Sequence, residues 1–286
     1  MKMKRITLDD YNNYKKLNDI VTIEDNKIKI GEKNIIETLE PEKFNLEIDN
    51  VWSFPERGKW CTHYLNAKYR GNYAPQLPRN IILRYSKEND LILDPFSGSG
   101  TTLIEAKLLK RHGIGMDINL GSAMITMDRL NFNNSENNLI EPEIFNGDAR
   151  NLNEIEDESI DLIMTHPPYA NIIKYSKDNI IKDDLSSIES LEEYYKKFKK
   201  VIKEMHRTLK KGKYCAILIG DTRKKGYQIP ISFTIMQLFL KEGFVLKEDI
   251  IKVQHNTKTR HYWASLSIKN NFMLLAYEHL FVFKKL

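Results

Sequence analysis

The chain has little of what marks disulfide-stabilised or metal-binding folds. Its 286 residues include only two cysteines, Cys61 and Cys215. Such a pair does not make a disulfide framework, and the sequence has no cysteine–histidine spacing typical of a metal site. We therefore predict a chain that holds no metal and works in the reduced cytoplasm.

Long apolar runs are also absent. The sequence begins Met-Lys-Met-Lys-Arg, which lacks the apolar core of a secretory signal, and no run approaches a membrane span. No membrane partner is expected. The net charge of +5 is compatible with a polyanionic partner without establishing one. Apolar residues make up 41% of the chain, enough for the core of one large α/β domain or two small ones.

The most informative segment present is residues 91–102, Leu-Ile-Leu-Asp-Pro-Phe-Ser-Gly-Ser-Gly-Thr-Thr. It is typical of a short buried strand, a tight glycine turn and the start of a helix. Gly98 and Gly100 permit backbone angles that other residues avoid and let a ligand approach the main chain. The free N–H groups of the first helical turn then face that ligand. The pattern predicts a ligand site at the carboxyl edge of a sheet, although an ordinary strand-to-helix turn gives the same pattern.

Three ligand classes fit such a turn. A P-loop requires a lysine that this segment lacks, and a dinucleotide-binding turn requires a third glycine where Leu103 stands. Asp94, at the strand end, is unsuited to a pyrophosphate but can accept a hydrogen bond from an ammonium group. The methionine end of S-adenosylmethionine carries an ammonium group, so this cofactor is favoured.

A second motif follows another buried strand pattern at residues 160–165. This strand runs into His166-Pro167-Pro168-Tyr169. The two prolines fix the backbone and remove two N–H donors. The strand is therefore expected to end in a rigid, extended elbow with free carbonyl groups, with the aromatic ring just beyond it.

Two further strand ends carry acids. Residues 113–118 form a short apolar strand with Asp117 about twenty residues past the glycine turn, where a carboxylate binds ribose hydroxyls. The other interpretation of Asp117 is a cap for the helix predicted over residues 120–132. Residues 144–149 are predicted to form a strand end with a turn, and Asp148 in this turn is placed to accept from an adenine amino group. Asn-Gly-Asp is, however, also a common turn sequence.

Strands alternate with helices along most of the chain. Further strands are predicted over residues 214–221, 244–253 and 278–283, and further helices over 78–87, 191–209 and 231–241. This alternation predicts an α/β fold with a doubly wound, mostly parallel, seven-stranded sheet. Sites in such sheets cluster at the carboxyl ends of the strands, so the acids and His166 are expected to share one cleft.

The two motifs together resemble those of the amino-group DNA methyltransferases, whose catalytic motif is Asp/Asn/Ser-Pro-Pro-Tyr/Phe/Trp. Residues 94–102 are similar to the cofactor motif of that family, and Ile219-Gly220-Asp221-Thr222 resembles a strand end frequent in its cytosine-N4 members. The resemblance covers about residues 60–285 and not residues 1–50. It implies the class I, Rossmann-like methyltransferase fold, S-adenosylmethionine as cofactor and double-stranded DNA as partner.

The resemblance also implies roles for individual residues. Pro167 and His166 would accept hydrogen bonds from the exocyclic amino group of a base flipped out of the duplex, and Tyr169 would stack on that base. The catalytic set is thus His166, Pro167, Pro168 and Tyr169. Carbon-5 methylation is disfavoured, because neither cysteine follows a proline. The implied cofactor-binding set is Asp94, Pro95, Phe96, Gly98, Gly100, Thr101, Asp117 and Asp148.

His166 departs from the family pattern, and several alternatives stay open. A neutral imidazole accepts a hydrogen bond through one nitrogen, whereas an imidazolium does not. Cytosine N4 is the favoured target, with adenine N6 the first alternative. A tRNA guanine-N2 methyltransferase comes next, and a non-catalytic DNA-binding relative follows. A cognate restriction endonuclease is a hypothetical partner, and the chain is expected to be a monomer or a homodimer.

The domain prediction follows the same motifs. Residues 1–50 are expected to form a small N-terminal extension, with a hairpin about residues 25–26, and residues 51–286 the catalytic domain. DNA-recognition inserts are predicted near residues 170–190 and 254–272. The aromatic segment 51–78 is either a lid packed over the sheet or a cover for the cofactor, and residues 66–78 resemble the family segment that closes the cofactor pocket.

Overall fold

The computed structural model describes residues 1–23, 26–32, 35–69, 71–133, 138–169, 181, 184–256 and 260–286. The strands are β1 (Lys4–Ile6), β2 (Ile20–Ile23), β3 (Asn26–Lys29), β4 (Val51–Trp52), β5 (Leu91–Asp94), β6 (His112–Asp117), β7 (Glu143–Asn146), β8 (Ile160–Thr165), β9 (Leu209–Ile219), β10 (Thr222–Lys224), β11 (Tyr227–Ile229), β12 (Phe244–Val253) and β13 (Tyr277–Lys285). The α-helices are α1 (Leu8–Leu17), α2 (Gln76–Tyr85), α3 (Thr101–Leu108), α4 (Leu120–Arg129), α5 (Leu191–Thr208), α6 (Ile231–Lys241) and α7 (Arg260–Lys269).

One large sheet organises the molecule, with strand order β1-β7-β6-β5-β8-β9-β13-β12-β4. Strands β5 to β9 run parallel to one another, and β13 is antiparallel to both β9 and β12. The predicted doubly wound, mostly parallel sheet is confirmed, and all seven predicted strands are present. The sheet has nine strands because β1 and β4, which the sequence analysis did not predict, extend its two edges.

Successive residues of the central strands face opposite layers of helices, as the pleat requires. In β8, Ile163 packs with α5 and α6, whereas Leu162 and Met164 pack with α2 and α3. Helix α5 buries one stripe, which matches its predicted periodicity. Its buried apolar residues are Tyr194, Phe198, Val201, Ile202 and Met205.

Residues 1–23 and 26–31 are packed against the sheet and α4. Strand β1 pairs antiparallel with β7, and α1 begins with a capping box between Thr7 and Asp10. The Tyr11 hydroxyl donates to Asp128 of α4 at 2.6 Å, and the Gly31 N–H donates to the same carboxylate oxygen at 2.7 Å. Strands β2 and β3 form the predicted hairpin, whose turn residue 25 lies outside the described residues.

Two regions differ from the sequence-based predictions. Strand β9 begins at Leu209 rather than at Tyr214, and its Lys210 and Lys213 bind the buried Asp161 at the start of β8. The segment after β12, predicted as a polar and aromatic loop, contains helix α7, in which no residue is buried. Much of the insert predicted near 170–190, residues 170–180 and 182–183, lies outside the described residues.

No helix in the described part of the chain is long and apolar enough to span a membrane. The same residues contain no cluster of three or more histidine, cysteine, aspartate or glutamate side chains arranged to hold a metal ion.

Candidate active site

The carboxyl ends of β5, β6 and β8 meet at one edge of the sheet, because these strands run parallel. A cleft opens there, with an empty space of about 820 Å³ that includes its mouth to solvent. This volume lies within the usual range for small-molecule sites. The predicted residues that line it are Asp94, Pro95, Phe96, Gly98, Thr101, Asp117, Asp148, His166 and Pro168. The described lining does not include Gly100, Pro167 or Tyr169.

Asp94 is the centre of the cleft floor. Its carboxylate is buried and accepts hydrogen bonds from the Thr102 hydroxyl (2.6 Å), the Thr165 hydroxyl (2.6 Å) and the Phe96 N–H (3.1 Å). Burial raises the pKa of Asp94 to about 6, although these three donors oppose the rise. Two of these donors bind Oδ1 and only Thr102 binds Oδ2, so Oδ2 retains the capacity for another donor.

The two glycines of the turn, Gly98 and Gly100, both have positive φ angles but make different contacts. Gly98 has a φ of +53°, and its N–H donates to Asp117 Oδ2 at 3.1 Å. Gly100 has a φ of +82° and forms the N-cap of α3. A Cβ at Gly100 would lie 2.9 Å from a Thr126 methyl carbon, so this glycine is required for packing of the turn against α4.

Asp117 lies at the end of β6 and accepts N–H groups from both Gly98 and Asn119. Burial raises the pKa of Asp117 to about 7, and the nearby Asp184 and Asp94 charges raise it further against the two backbone donors. Asn119, not Asp117, caps helix α4. The capping interpretation of Asp117 is therefore wrong, and its carboxylate borders the cleft.

Asp148 is held by a neighbour in the chain. Its two carboxylate oxygens accept from the Arg150 guanidinium, with Nε 2.8 Å from Oδ1 and a second nitrogen 2.5 Å from Oδ2. The Arg150 N–H also donates to Oδ1 at 3.0 Å. This arrangement fixes the carboxylate at the cleft wall.

The charge of the cleft matches S-adenosylmethionine, which carries a sulfonium and an ammonium against one carboxylate. Four carboxylates lie in the described lining, which contains no lysine or arginine: Asp94, Asp117, Asp148 and Asp184. This lining is unfavourable for a phosphate and favourable for a cation. The hydroxyls of Ser97 and Ser99 are buried in the same lining without a hydrogen-bond partner among the described residues, which leaves polar atoms for a ligand.

The aromatic segment before α2 forms one wall of the cleft. The Tyr69 hydroxyl lies 2.9 Å from that of Ser122 in α4, and Tyr73 is hydrogen-bonded to Thr102. Burial, with the Asp94 charge, raises the pKa of Tyr73 well above its usual value, so its hydroxyl stays neutral. Tyr69, Gly71, Asn72 and Tyr73 line the cleft, within the segment that the sequence analysis singled out as a cover.

This wall is anchored to α3 through a buried acid. Glu105 accepts from Trp60 Nε1 at 2.7 Å and from Arg79 at 2.9 Å, and His63 Nε2 lies 2.7 Å from the same carboxylate. Glu105 and His63 are both fully buried. The anchor holds the aromatic segment and α2 against the helix that begins at the glycine turn.

The His-Pro-Pro-Tyr segment leaves β8 directly beside Asp94. Its Tyr169 side chain turns into the protein: the ring is 8% exposed, and it packs so closely that a Cβ at Gly220 would lie 3.0 Å from it. The Tyr169 hydroxyl lies 2.7 Å from His166 Nε2 and donates to Glu278 at 3.0 Å. Glu278 in turn binds the Lys252 ammonium at 2.8 Å.

The two prolines have different surroundings. The Pro168 carbonyl accepts from the Tyr194 hydroxyl of α5 at 2.9 Å, which fixes the elbow. None of the residues in the described ranges donates a hydrogen bond to the Pro167 carbonyl. That oxygen therefore keeps its capacity to accept.

Several residues of this region were missed by sequence reasoning. Glu278 lies in a strand whose alternation signals only burial, and Asp184 lies in the polar insert. Asp221, noted as part of the Ile-Gly-Asp-Thr strand end, accepts from Ser232 N–H at 2.9 Å and from Gln228 at 2.8 Å. Gly220 leaves room for Tyr169, so packing and hydrogen bonding account for this strand end.

Comparison with known proteins places this geometry in a family. A family model described as DNA methylase, for N6 and N4 methyltransferases, matches residues 5–128 and 160–285. The chain belongs to the N6/N4 DNA methylase family. The match begins near the start of β1 and so includes much of the segment that the motif resemblance did not cover.

Curated relatives of this N6/N4 methylase match over shorter stretches. The Type II methyltransferase M.HpaI of Haemophilus parainfluenzae is 41% identical over 85 residues, which are 28% of this chain and 25% of that protein. The Type II methyltransferase M2.LlaDCHI of Lactococcus lactis is 47% identical over 70 residues, 23% of this chain and 26% of that protein. A tRNA (guanine(10)-N2)-dimethyltransferase of Methanothermobacter thermautotrophicus is 37% identical over 103 residues, 36% of this chain and 29% of that protein. The chain thus spans about a quarter to a third of the length of these relatives.

A solved structure is similar over more of the methylase. The S-adenosylmethionine-dependent methyltransferase from Methanosarcina mazei has a TM-score of 0.50 and 18% identity, covering 72% of this chain and 97% of that one. This likeness shows the class I methyltransferase fold. The family match and the acidic cleft assign S-adenosylmethionine as the cofactor.

Proposed function

We propose that this methylase transfers a methyl group to the exocyclic amino group of a base in double-stranded DNA, at cytosine N4. One observation carries the proposal: the acidic cleft and the His-Pro-Pro-Tyr segment form one continuous site. His166 and Pro168 line the same cleft as Asp94, and Asp94 is hydrogen-bonded to Thr165, which directly precedes His166.

Each acid of the cleft has a proposed task. Asp94 would accept from the ammonium of S-adenosylmethionine, Asp117 from the ribose hydroxyls and Asp148 from the adenine amino group. Pro95, Phe96, Gly98 and Thr101 would form the wall against which the cofactor lies, with Gly100 holding the turn. When bound, S-adenosylmethionine supplies an electrophilic methyl carbon on a sulfonium.

The protein groups make the amino nitrogen a nucleophile. Its lone pair is delocalised into the ring of the base until acceptors bind its N–H bonds, and the Pro167 carbonyl and His166 are the proposed acceptors. With S-adenosylmethionine bound, the nitrogen would bond to its methyl carbon as the carbon–sulfur bond breaks. S-adenosylhomocysteine would then leave, and the nitrogen would give up one proton to water. Positioning by the rigid elbow supplies much of the acceleration.

Tyr169 is proposed to stack on the flipped base, as the family resemblance implies. In this structure its ring is buried against Gly220. Stacking therefore requires one face of the ring to become accessible when DNA binds, while the hydroxyl stays hydrogen-bonded to Glu278. Base–aromatic stacking would contribute about 1–3 kcal/mol toward the cost of flipping.

A basic surface beside the cleft supports a nucleic-acid substrate. Strands β9 and β12 end at the same edge of the sheet, and hairpin β10–β11 and α7 follow them. The hairpin and the segment after α7 touch, because Arg223 donates to the Met273 carbonyl at 2.9 Å and lies over Phe272. Residues 250–277 include no aspartate or glutamate, and α7 exposes Tyr262 and Trp263.

Three other functions are kept as outcomes of the test. Adenine N6 uses the same site and mechanism. A tRNA guanine-N2 activity is favoured by the relative named for that reaction. A chain that binds cofactor and DNA without transfer would be the non-catalytic alternative.

The test is to incubate the methylase with labelled S-adenosylmethionine and separate pools of mixed genomic DNA and total tRNA. The labelled pool is then digested to nucleosides, and the product is identified by mass spectrometry. N4-methylcytosine from DNA supports the proposal, and N6-methyladenine keeps the mechanism while correcting the base. Label in tRNA alone overturns the substrate, and cofactor binding without label in either pool overturns catalysis.

The proposal extends to the setting of the activity. Because two of the relatives named above are Type II methyltransferases, a cognate restriction endonuclease in the cytoplasm is the proposed partner. The chain is proposed to be a monomer or a homodimer, and sedimentation with and without DNA distinguishes the two.

A further inference from the structure

A row of hydrogen-bonded polar side chains runs from Lys252 in β12 to His166 in the catalytic segment. Lys252 of β12 binds Glu278 Oε2 at 2.8 Å, Glu278 Oε1 accepts from the Tyr169 hydroxyl at 3.0 Å, and Tyr169 lies 2.7 Å from His166 Nε2. Glu278 is 7% exposed and Tyr169 8%. The row brings together residues from β12, β13 and the segment after β8, which are far apart in the sequence.

With Glu278 ionised, the contacts from Lys252 through Glu278 and Tyr169 to His166 fit one arrangement of hydrogens. The Lys252 ammonium only donates, so Glu278 is an acceptor there, and an ionised Glu278 is also an acceptor from Tyr169. The single Tyr169 hydrogen is then committed to Glu278. The Tyr169 oxygen must accept from His166, which places the imidazole proton on Nε2.

The charges around the row agree with this arrangement. Burial works to raise the pKa of Glu278, but the Lys252 ammonium, the electrostatic interaction with His166 and the hydrogen bonds from Lys252 and Tyr169 outweigh it and lower that pKa. Burial lowers the pKa of His166, with Lys252 adding to the effect and Glu278 and the Gly71 backbone opposing it. Tyr73, whose ring centroid is 5.7 Å away, is the other titratable group facing the imidazole.

A neutral imidazole protonated on Nε2 has its lone pair on Nδ1. The His166 Nδ1 atom is buried and has no hydrogen-bond partner among the described residues, and the ring lines the cleft. A buried nitrogen without a donor is a vacant acceptor at the catalytic segment.

We propose that Glu278 and Tyr169 are positioning residues that hold His166 as a hydrogen-bond acceptor for the target amino group. The role of the acceptor rests on the proposed function, whereas the arrangement of the protons does not. A histidine at the first position of the motif then performs the task of the aspartate, asparagine or serine usual in the family. It does so because the buried carboxylate behind it fixes its tautomer.

The direct test is the tautomer itself. Ring nitrogen shifts of histidine-labelled protein report which nitrogen carries the proton, and loss of one signal set in His166→Asn assigns His166. The wild type is expected to show the tautomer protonated on Nε2. In Glu278→Gln, Lys252 should still bind the amide oxygen, and the amide NH₂ should donate to the Tyr169 oxygen. The Tyr169 hydroxyl then donates to His166 Nε2, so the direction of the hydrogen bonds reverses and the imidazole proton moves to Nδ1. A wild-type ring protonated on Nδ1, or an unchanged tautomer in Glu278→Gln, overturns the proposal.

Kinetics give a second readout. Reversal of the row is expected to lower kcat by about 100-fold with little change in KM for S-adenosylmethionine, since an acceptor becomes a donor at the reacting nitrogen. Tyr169→Phe keeps an aromatic ring for stacking but disconnects Glu278 from His166. The double variant Tyr169→Phe with Glu278→Gln should therefore have the same kcat as Tyr169→Phe, and a higher kcat than Glu278→Gln alone. If the two substitutions lower kcat additively in the double variant, Glu278 does not act on His166 through Tyr169.

The matched control is Asp161→Asn. Asp161 is also a buried acid paired with lysine, but it lies at the opposite end of β8 from His166. Its substitution is expected to leave the tautomer and kcat unchanged. Should Glu278→Gln fail to fold, the wild-type tautomer still decides the proton arrangement. If the predicted tautomer is found but no nucleic acid is methylated, only the proposed function is refuted. If the enzyme is active but His166 has the opposite tautomer, only the positioning role is refuted.

Discussion

The Asp94 carboxylate and the Thr165 hydroxyl lie 2.6 Å apart, and this hydrogen bond joins the two halves of the site. Asp94 ends β5 and begins the glycine turn, whereas Thr165 ends β8 and begins the His-Pro-Pro-Tyr segment. Since β5 and β8 are neighbours in the sheet, the sheet itself sets the spacing of the cofactor cleft and the catalytic elbow.

Replacing Asp94 separates binding from folding. In Asp94→Asn the buried charge is removed while the shape is kept, so affinity for S-adenosylmethionine is expected to fall by about tenfold or more, because a charged hydrogen bond contributes about 1.5–3 kcal/mol. Because the pKa of Asp94 is raised to about 6, ionisation costs stability above that pH, and the variant should be at least as thermally stable as wild type at pH 8. Calorimetric titration and thermal unfolding measure the two effects. Unchanged affinity would remove Asp94 from the cofactor site.

Cofactor binding should depend on pH in a defined direction. Asp117 and Asp94 have pKa values raised to about 7 and about 6, so both are charged above that range and neutral below it. Affinity for the cationic S-adenosylmethionine is expected to weaken as pH falls from 8 to 5.5. S-adenosylhomocysteine, which lacks the sulfonium charge, is the control and should show a shallower dependence. An affinity for S-adenosylmethionine that stays constant over this pH range would contradict an electrostatic role of these acids.

The anchor of the aromatic wall makes a stability prediction. Glu105→Gln breaks a buried ion pair with Arg79 and weakens the bonds from Trp60 and His63, so the free energy of unfolding should fall by about 3 kcal/mol. Glu32→Gln is the control, because Glu32 pairs with Lys29 while both side chains are largely exposed, so its loss should cost less than about 1 kcal/mol. Urea unfolding measures both, and similar losses in the two variants would show that the anchor is unimportant.

The basic surface predicts how DNA affinity depends on salt. Lys224 and Arg260 are exposed on hairpin β10–β11 and α7, and replacing both with alanine should reduce the slope of log K against log salt by about 2, or about 1 for each lost phosphate contact. The matched control replaces Lys199 and Lys200 on the exposed face of α5, where no change is expected. An equal effect of both pairs would argue against a specific DNA-binding surface.

Local patterns were sufficient to predict the central sheet. The strand at 244–253 and the helix at 231–241 have the predicted bounds, because their periodicity and flanking glycine and proline are strong signals. Strands β1 and β4 are only three and two residues long, too short to show periodicity. Helix α7 buries no residue, so it has no apolar stripe to detect.

The part of the site that consists of local sequence motifs could be predicted from the sequence. The strand-end acids and His166 follow from local patterns, since parallel strands bring their carboxyl ends together. The buried position of Tyr169 does not follow, because it depends on the space above Gly220 and on a partner 109 residues away, Glu278. Contacts of that separation are set by the packing of the sheet, which no single segment encodes.

The most direct measurement of the central claim is to map modified bases in a host that lacks amino-group DNA methylation of its own. Single-molecule sequencing of DNA from cells that express the methylase should reveal N4-methylcytosine within one short sequence. The same cells with Asp94→Asn should show none. Unmodified DNA in cells whose tRNA gains N2-methylguanosine would contradict the account and assign the site to RNA.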